Sequence, residues 1–312
     1  MLRLRAKLLA DVRAFFSQRD VLEVDTPVLS HAGNPDIYIE SFRTHYQQGD
    51  HKQSLYLQTS PEFAMKRLLA AGSGSIYQIC KAFRKGEQGR LHNPEFTLLE
   101  WYRTGFDHHQ LMQEIEDLLI FTGLLNKDET INKISYQALF ERFTGFNPHL
   151  VEHKTLTEYI NDSDINLQSQ QDLDKDELLA LILTHVIEPA IRDEMFIMVY
   201  DYPASQASLA KIRQGEYPVA ERFELYGNGV ELANGFHELT DAQEQLQRFK
   251  HDQIRRETSG QEKTPLDKNL IDALTSGMEP CAGVAIGFDR LLMVAANKPA
   301  LQDVLAFTFD HA

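Results

Sequence analysis

The sequence predicts an α+β fold, an antiparallel sheet flanked by helices, interrupted by a mostly helical insertion over about residues 107–193. Three observations carry this prediction. Strand-like segments come in runs joined by short polar loops, instead of alternating with helices as in a parallel sheet. Apolar positions after residue 107 recur at helical spacing, unlike those on either side. No repeat, low-complexity tail or Pro/Gly/Ser-rich linker divides the chain, so a single domain over 1–312 is expected.

Leu4, Leu8, Val12, Phe15 and Phe16 put one apolar face on a helix over residues 2–18. VLEVDTPVL follows as a short strand stopped by Pro27. Residues 37–57 are strand-like, with a polar turn around 47–53. Ser60 is the expected N-cap and Pro61 the first position of a helix that stops at Gly72. SIYQICKAFR and PEFTLLEWYR read as strands joined by the polar loop KGEQGRLHN. FDHHQLMQEIEDLLIFTG and DELLALILTHVIEPAI read as helices, with His108 and His109 in a solvated first turn. The tract 161–176 reads as a loop or a weak helix. FIMVYDYP is a strand, and RFELYGNGVELANGF a hairpin with a Gly-Asn-Gly turn. Helices over 241–258 and 267–276 precede GVAIGFDRLLMVAAN, a glycine-punctuated strand running into a helix capped by Asp289.

The 312 residues are 43% hydrophobic, 10% aromatic and 25% charged, a globular composition with ample core. Lys and Arg number 31 against 46 Asp and Glu, a net charge of −15. Such a surface repels phosphate at long range and disfavours coating of nucleic acid, but leaves room for a local basic groove. The basic N-terminus lacks an unbroken apolar core and a small-residue cleavage site, so it reads as an amphipathic helix, not a signal peptide. No apolar run approaches the roughly 20 residues of a membrane span. Cys80 and Cys281 allow one disulfide at most and cannot build a zinc site alone. A reducing cytoplasm is the expected location, with Cys80 an inert core thiol.

Three constellations carry chemistry. In the first, Phe96, Leu98, Glu100 and Tyr102 share one strand face, flanked by Arg84, Arg90, His92 and Asn93. A ring, a carboxylate and a phenol make a floor for a cationic ligand, and guanidinium groups hold phosphates. On pattern alone, the reading favoured is the plainer one, with Phe96 and Tyr102 as core residues and the charges as solvated loop residues. In the second, Glu224, Glu231 and Glu238 are spaced by seven across the hairpin. A two-residue Gly227-Asn228 loop makes Glu224 face Glu231, and a shifted loop makes them diagonal. Opposed like charges are unfavourable unless a cation such as Mg²⁺ lies between them; otherwise they form an exposed acidic face. Glu238 joins that face only through a bulge, for which Asn234-Gly235 is the plausible place. In the third, Gly283-x-Ala-x-Gly287-x-Asp-Arg290 permits close approach of a ligand, and Arg290 opposes the dipole of its helix. His237-Glu238 does not continue into a helical zinc-protease motif, because Asp241 stands where the second His belongs.

Together these segments resemble the catalytic domain of class II aminoacyl-tRNA synthetases, in the lysine branch. VRAFFSQRDVLEVDTPVL is similar to the first class motif, used in dimerisation, FRKGEQGRLHNPEFTLLEWY to the second and GVAIGFDRLLM to the third. RFELYGNGVELANGFHELTD is similar to the lysine-specific segment between them. Three features resemble the truncated lysyl-tRNA synthetase paralogues that act on elongation factor P. The first motif begins by residue 12, leaving no room for an anticodon-binding barrel; Ser60 replaces the usual Ala before Pro-Glu; and Ala285 replaces a glycine.

The resemblance implies that ATP and (R)-β-lysine form an adenylate, which a lysine of elongation factor P then attacks in a cytoplasmic homodimer without tRNA. It implies Arg84 and Arg290 as catalytic residues. ATP would meet Arg84, Lys85, Gly86, His92, Asn93, Phe96, Glu231, Leu232, Gly287 and Arg290. Phe96 and Arg290 would sandwich the adenine. Substrate contacts would come from Ser60, Pro61, Glu62, Tyr102, Glu238 and Ala285, and Mg²⁺ ligands from Glu224 and Glu231. The branch usually reads Phe-Arg-Asn-Glu in its second motif, whereas this chain has Phe83-Arg84-Lys85-Gly86 and then Glu87. Either Glu87 or the backbone therefore takes over the adenine contact. Two competing readings are a stand-alone lysyl-adenylate former acting on tRNA and a non-catalytic lysine or nucleotide sensor. The net charge of −15 disfavours the first, and intact Arg84, His92, Glu231, Glu238 and Arg290 disfavour the second.

Overall fold

Helix α1 (Leu2–Ser17) buries Leu8, Val12, Phe15 and Phe16, the face its spacing predicts. The computed structural model describes residues 1–163, 165 and 173–312. Strands β1 (Leu22–Glu23) and β2 (Leu29–Ser30) flank Pro27 and go to different sheets. A hairpin of β3 (Arg43–Gln48) and β4 (His51–Leu57) starts later than residue 37. Helix α2 (Glu62–Ala70) is followed by the antiparallel pair β5 (Ile76–Phe83) and β6 (Glu95–Thr104).

The middle stretch holds α3 (His108–Phe121), β7 (Asn132–Ser135), α4 (Tyr136–Thr144), α5 (His153–Asp162), α6 (Lys175–Ile182) and α7 (Glu188–Ala190). A π-helical turn over Leu183–Ile187 joins the last two. Strands β8 (Phe196–Pro203), β9 (Ile212–Arg213), β10 (Val219–Gly227) and β11 (Val230–His237) follow. Helices α8 (Ala242–Thr258) and α9 (Lys268–Ser276), strand β12 (Cys281–Gly287) and helix α10 (Phe288–Ala295) complete the order.

The main sheet runs β1-β5-β6-β12-β11-β10-β8-β7, with β9 also on β10. Its centre is antiparallel, as expected, but the end pairs β1–β5 and β7–β8 are parallel. The stretch expected to be mostly helical thus also supplies an edge strand. Its first helix, moreover, belongs to the main core: Leu111, Ile115 and Leu119 of α3 pack with Phe16, Trp101, Phe223 and Val284. Helices α1, α3 and α10 cover this back face of the sheet. Trp101 donates its indole N–H to Glu114 at 2.9 Å, as a buried indole requires. A second core packs Tyr136, Phe140, Leu156, Leu179 and Ile182 on Ile197 and Val199 of β8. On the front face, α2, α8 and α9 meet through Met65, Leu69, Phe249, Leu270 and Leu274.

Two expected caps are corrected. Pro61, not Ser60, is the N-cap of α2, because the Ser60 hydroxyl donates to Glu100 at 2.8 Å while receiving the Glu62 N–H at 3.0 Å. Gly287, not Asp289, caps α10. The Asp289 carboxylate is buried and accepts from Arg5 at 2.5 Å and from the Thr97 N–H at 2.7 Å, tying α1, β6 and α10 together. In the tract 161–176, the first residues end α5 and the last begin α6, and most of the remainder lies outside the described residues.

Candidate active site

Sheet register sets the front face. Glu100 of β6 pairs with Ala285 of β12, Ala285 with Asn234 of β11, and Asn234 with Glu224 of β10. One step along, Tyr102, Gly283, Phe236 and Arg222 form a parallel row. A Cβ on Gly283 would lie 2.3 Å from the Tyr102 ring and 2.5 Å from Glu238 Oε1, so only glycine fits there. The hairpin turn is Asn228-Gly229, with φ of 51° and 72°, rather than Gly227-Asn228. Glu231 consequently pairs with Tyr226 and is a diagonal neighbour of Glu224. The pairing then slips, leaving Leu232 unpaired between Glu231 and Ala233. This is the bulge Glu238 needed, two residues earlier than expected, and it turns Asn234, Phe236 and Glu238 onto the face of Glu231.

The face opens into a cavity of about 500 Å³ whose walls include Ser60, Glu62, Arg84, Phe96, Tyr102, Glu238, Ala285 and Arg290. At one end, the Lys66 ammonium is 1% exposed and lies 2.6 Å from Glu238 and 2.7 Å from Glu62. Burial alone would lower its pKa, but the two carboxylates outweigh burial and raise it. Glu100 beside them accepts from Ser60 and from the Tyr102 phenol, each at 2.8 Å. Burial, then the Glu62 charge, pushes the Glu100 carboxyl up to about 8. Two carboxylates against one lysine, with the Glu100 carboxyl beside them, leave an excess of negative charge suited to an ammonium-bearing ligand.

At the other end, Arg84 lies 5.1 Å from the centroid of the Phe96 ring and 3.6 Å from Glu87. Arg290 donates to the Leu91 and Glu231 carbonyls at 3.1 and 2.9 Å and lies 2.7 Å from His92 Nε2. Partial burial, then the Arg290 charge, lowers the His92 pKa, so a neutral imidazole accepts this bond. Glu224 lies below the floor and accepts from Tyr202 at 2.7 Å, Tyr226 at 2.5 Å and Arg222 at 2.5 Å. Burial, then Glu231 and Glu224, pushes the Glu188 carboxyl up to about 7. Burial, then the Glu224 charge, likewise raises Glu231, and carboxylates that repel one another in this way are a donor set that fits a hard divalent cation.

Most of the residues read from the sequence line this one cavity. Pro61, Lys85, Gly86, Arg90 and Glu224 do not. Lys85 points away to pair with Glu40 at 2.5 Å, and Gly86, at φ 83°, makes the left-handed bend that brings Glu87 inward. Asn93 lines the wall while its side chain holds Glu95 O at 2.5 Å and Phe309 N at 3.0 Å. Sequence reasoning missed Lys66, Asn234, Arg222 and Glu188. Lys66 had a signal, its i,i+4 spacing from Glu62. Asn234 Oδ1 is buried without a hydrogen-bond partner among the described residues and lines the cavity, which only the register reveals.

A family model described as tRNA synthetases class II (D, K and N) matches residues 1–311, and the chain belongs to that family. Within it, the chain is 50% identical over 319 residues to a Vibrio vulnificus (strain YJ016) protein named elongation factor P–(R)-β-lysine ligase, covering 100% of this chain and 96% of that protein. A protein of the same name from Salmonella gallinarum (strain 287/91 / NCTC 13346) is 47% identical over 310 residues, covering 99% of this chain and 94% of its own.

Proposed function

We propose that this chain activates (R)-β-lysine with ATP and transfers the β-lysyl group to the ε-amine of one lysine on elongation factor P. The observation that carries the reading is one cavity lined by Glu62, Glu100 and Glu238 at one end, with Lys66 buried against Glu62 and Glu238, and by Arg84, His92 and Arg290 at the other. A diammonium substrate fits the first end and a nucleoside triphosphate the second. The full-length relatives, through their name, supply the acceptor.

In the first step the substrate carboxylate attacks the α-phosphorus, the bond to the β-phosphate oxygen breaks, and pyrophosphate leaves. Arg84 stabilises charge developing on the α-phosphate. Phe96 and Arg290 hold the adenine by stacking and cation–π contact, after Arg84 leaves the Phe96 ring for the phosphates. His92, with Asn93 beside it, reaches the γ-phosphate. Glu231, with Glu224 and Glu188, would hold Mg²⁺, which neutralises phosphate charge when bound. Tyr102 and Glu238 orient one ammonium and Glu62 the other. In the second step the neutral lysine ε-amine attacks the acyl carbon. AMP leaves with the bonding pair and the amine loses a proton. No covalent enzyme intermediate is needed, because the site works by positioning and electrostatics.

Two copies would associate through the first-motif segment, where Leu22, Val28 and Leu29 are 58%, 37% and 48% exposed. Both cysteines are free, and no helix among the described residues is long and apolar enough to cross a membrane. A cytoplasmic location follows from the acceptor, a translation factor. Exchange of labelled pyrophosphate into ATP tests the first step. It should require (R)-β-lysine and fall on the order of 10²–10³-fold in Arg84→Ala; exchange that proceeds without an amino acid contradicts the assignment.

A further inference from the structure

Behind the catalytic face lies a second cluster that the reaction does not use. His237 pairs with Ala282, a core residue, so its side chain leaves the sheet on the back, opposite Glu238. Its Nδ1 lies 2.6 Å from Glu221 Oε2 of β10. His108, expected in a solvated turn, is instead 1% exposed at the start of α3 and aimed at the same place. One ligating atom each from His108, Glu221 and His237 lie within 4.8 Å of one another. Neither ring nitrogen of His108 has a hydrogen-bond partner among the described residues, and neither has Asp201 Oδ1, 3.4 Å from His108 Nε2. Buried polar atoms without partners cost free energy unless something else satisfies them.

We propose that His108, Glu221 and His237 form a zinc site, with Asp201 as the fourth ligand. Two imidazoles and carboxylates are the borderline donor set zinc prefers, whereas Mg²⁺ demands oxygen alone. Tetrahedral ligands at zinc distances stand roughly 3.4 Å apart, so on the ion the widest pair closes by up to about 1.4 Å while His237 and Glu221, 2.6 Å apart, open by about 0.8 Å. Arg213, which bridges Glu221 and Asp201, is 43% exposed and turns to solvent as the ion takes over its charge. The ion would tie α3, β8, β10 and β11 together directly behind Arg222 and Glu238. It is a structural clamp outside the reaction and does not depend on the substrate assigned above.

The test titrates the full-length chain, freed of metal, with Zn²⁺ by calorimetry and with Co²⁺ by visible absorption. One equivalent should bind, with a tetrahedral cobalt spectrum, and the melting temperature should rise with Zn²⁺. His108→Gln and His237→Gln, each checked for native circular dichroism, should lose both the stoichiometric site and the spectrum. No stoichiometric binding by the wild type, or retention of the site in either folded variant, overturns the proposal.

Discussion

Replacing Lys66 with methionine removes the cation buried against Glu62 and Glu238 and keeps most of the side-chain volume. Glu238, whose side chain is 1% exposed, is then left without its partner at 2.6 Å, while Glu62, at 16%, can relax towards water. An unpaired carboxylate in that place takes up a proton instead of staying charged. Removing one partner of such a buried pair costs about 3–5 kcal/mol. Burial holds the Glu238 carboxyl up to about 7 even beside Lys66, and without the lysine's charge it stands higher still. Its folded pKa lies above the unfolded value of about 4.3 in both forms, so its contribution to stability is complete below about pH 4 and is lost as pH rises through the folded pKa, over a wider range in the variant. The gap to wild type should therefore be larger at pH 8 than at pH 6, read from urea unfolding midpoints at constant slope. A gap equal at both pH values, or one that narrows as pH rises, counts against this picture.

Three further outcomes follow from the site. Glu100, pushed up to about 8, holds its proton at pH 7 in the free protein, and an incoming ammonium lowers that pKa, so β-lysine binding should release close to one proton. Calorimetry in buffers of different ionisation heat reads this; identical heats, or release that persists in Glu100→Gln, count against it. Ala285→Gly should move relative kcat/KM towards α-lysine by about tenfold, because one methyl beside Glu100 and Asn234 is worth about 1–3 kcal/mol of discrimination, and an unchanged ratio sinks the idea. Glu87→Ala should raise the KM for ATP, since Glu87 is the carboxylate beside Arg84; no change excludes it as the adenine contact.

What could be read in advance follows from how local the signal is. The α1 stripe, the Gly72 stop and the strands of SIYQICKAFR and PEFTLLEWYR are written in neighbouring residues, and the structure has them there, whereas VLEVDTPVL yields only two short strands in different sheets. Shared faces within one strand, such as Glu100 with Tyr102, are equally local. Register across strands is not. The Asn228-Gly229 turn and the bulge at Leu232 are set by packing of both hairpin arms, and they decide that Glu238 joins Glu231. Asp289 and Ser60 have capping chemistry, but Arg5 with the Thr97 amide and Glu100 offered their oxygens better partners across the fold. His108 looked solvated because the sheet behind α3 is distant in sequence. For Lys66 the local signal is its spacing from Glu62 alone, since its other partner, Glu238, lies 172 positions away on another element.

The central claim is the transfer of β-lysine to a protein. Elongation factor P incubated with the chain, ATP, Mg²⁺ and either (R)-β-lysine or α-lysine, then weighed intact and after digestion by mass spectrometry, tests it directly. One lysine should gain a single β-lysyl group, far faster with (R)-β-lysine than with α-lysine and not at all in Arg84→Ala. Elongation factor P that keeps its original mass, while the same preparation supports pyrophosphate exchange, would contradict the account.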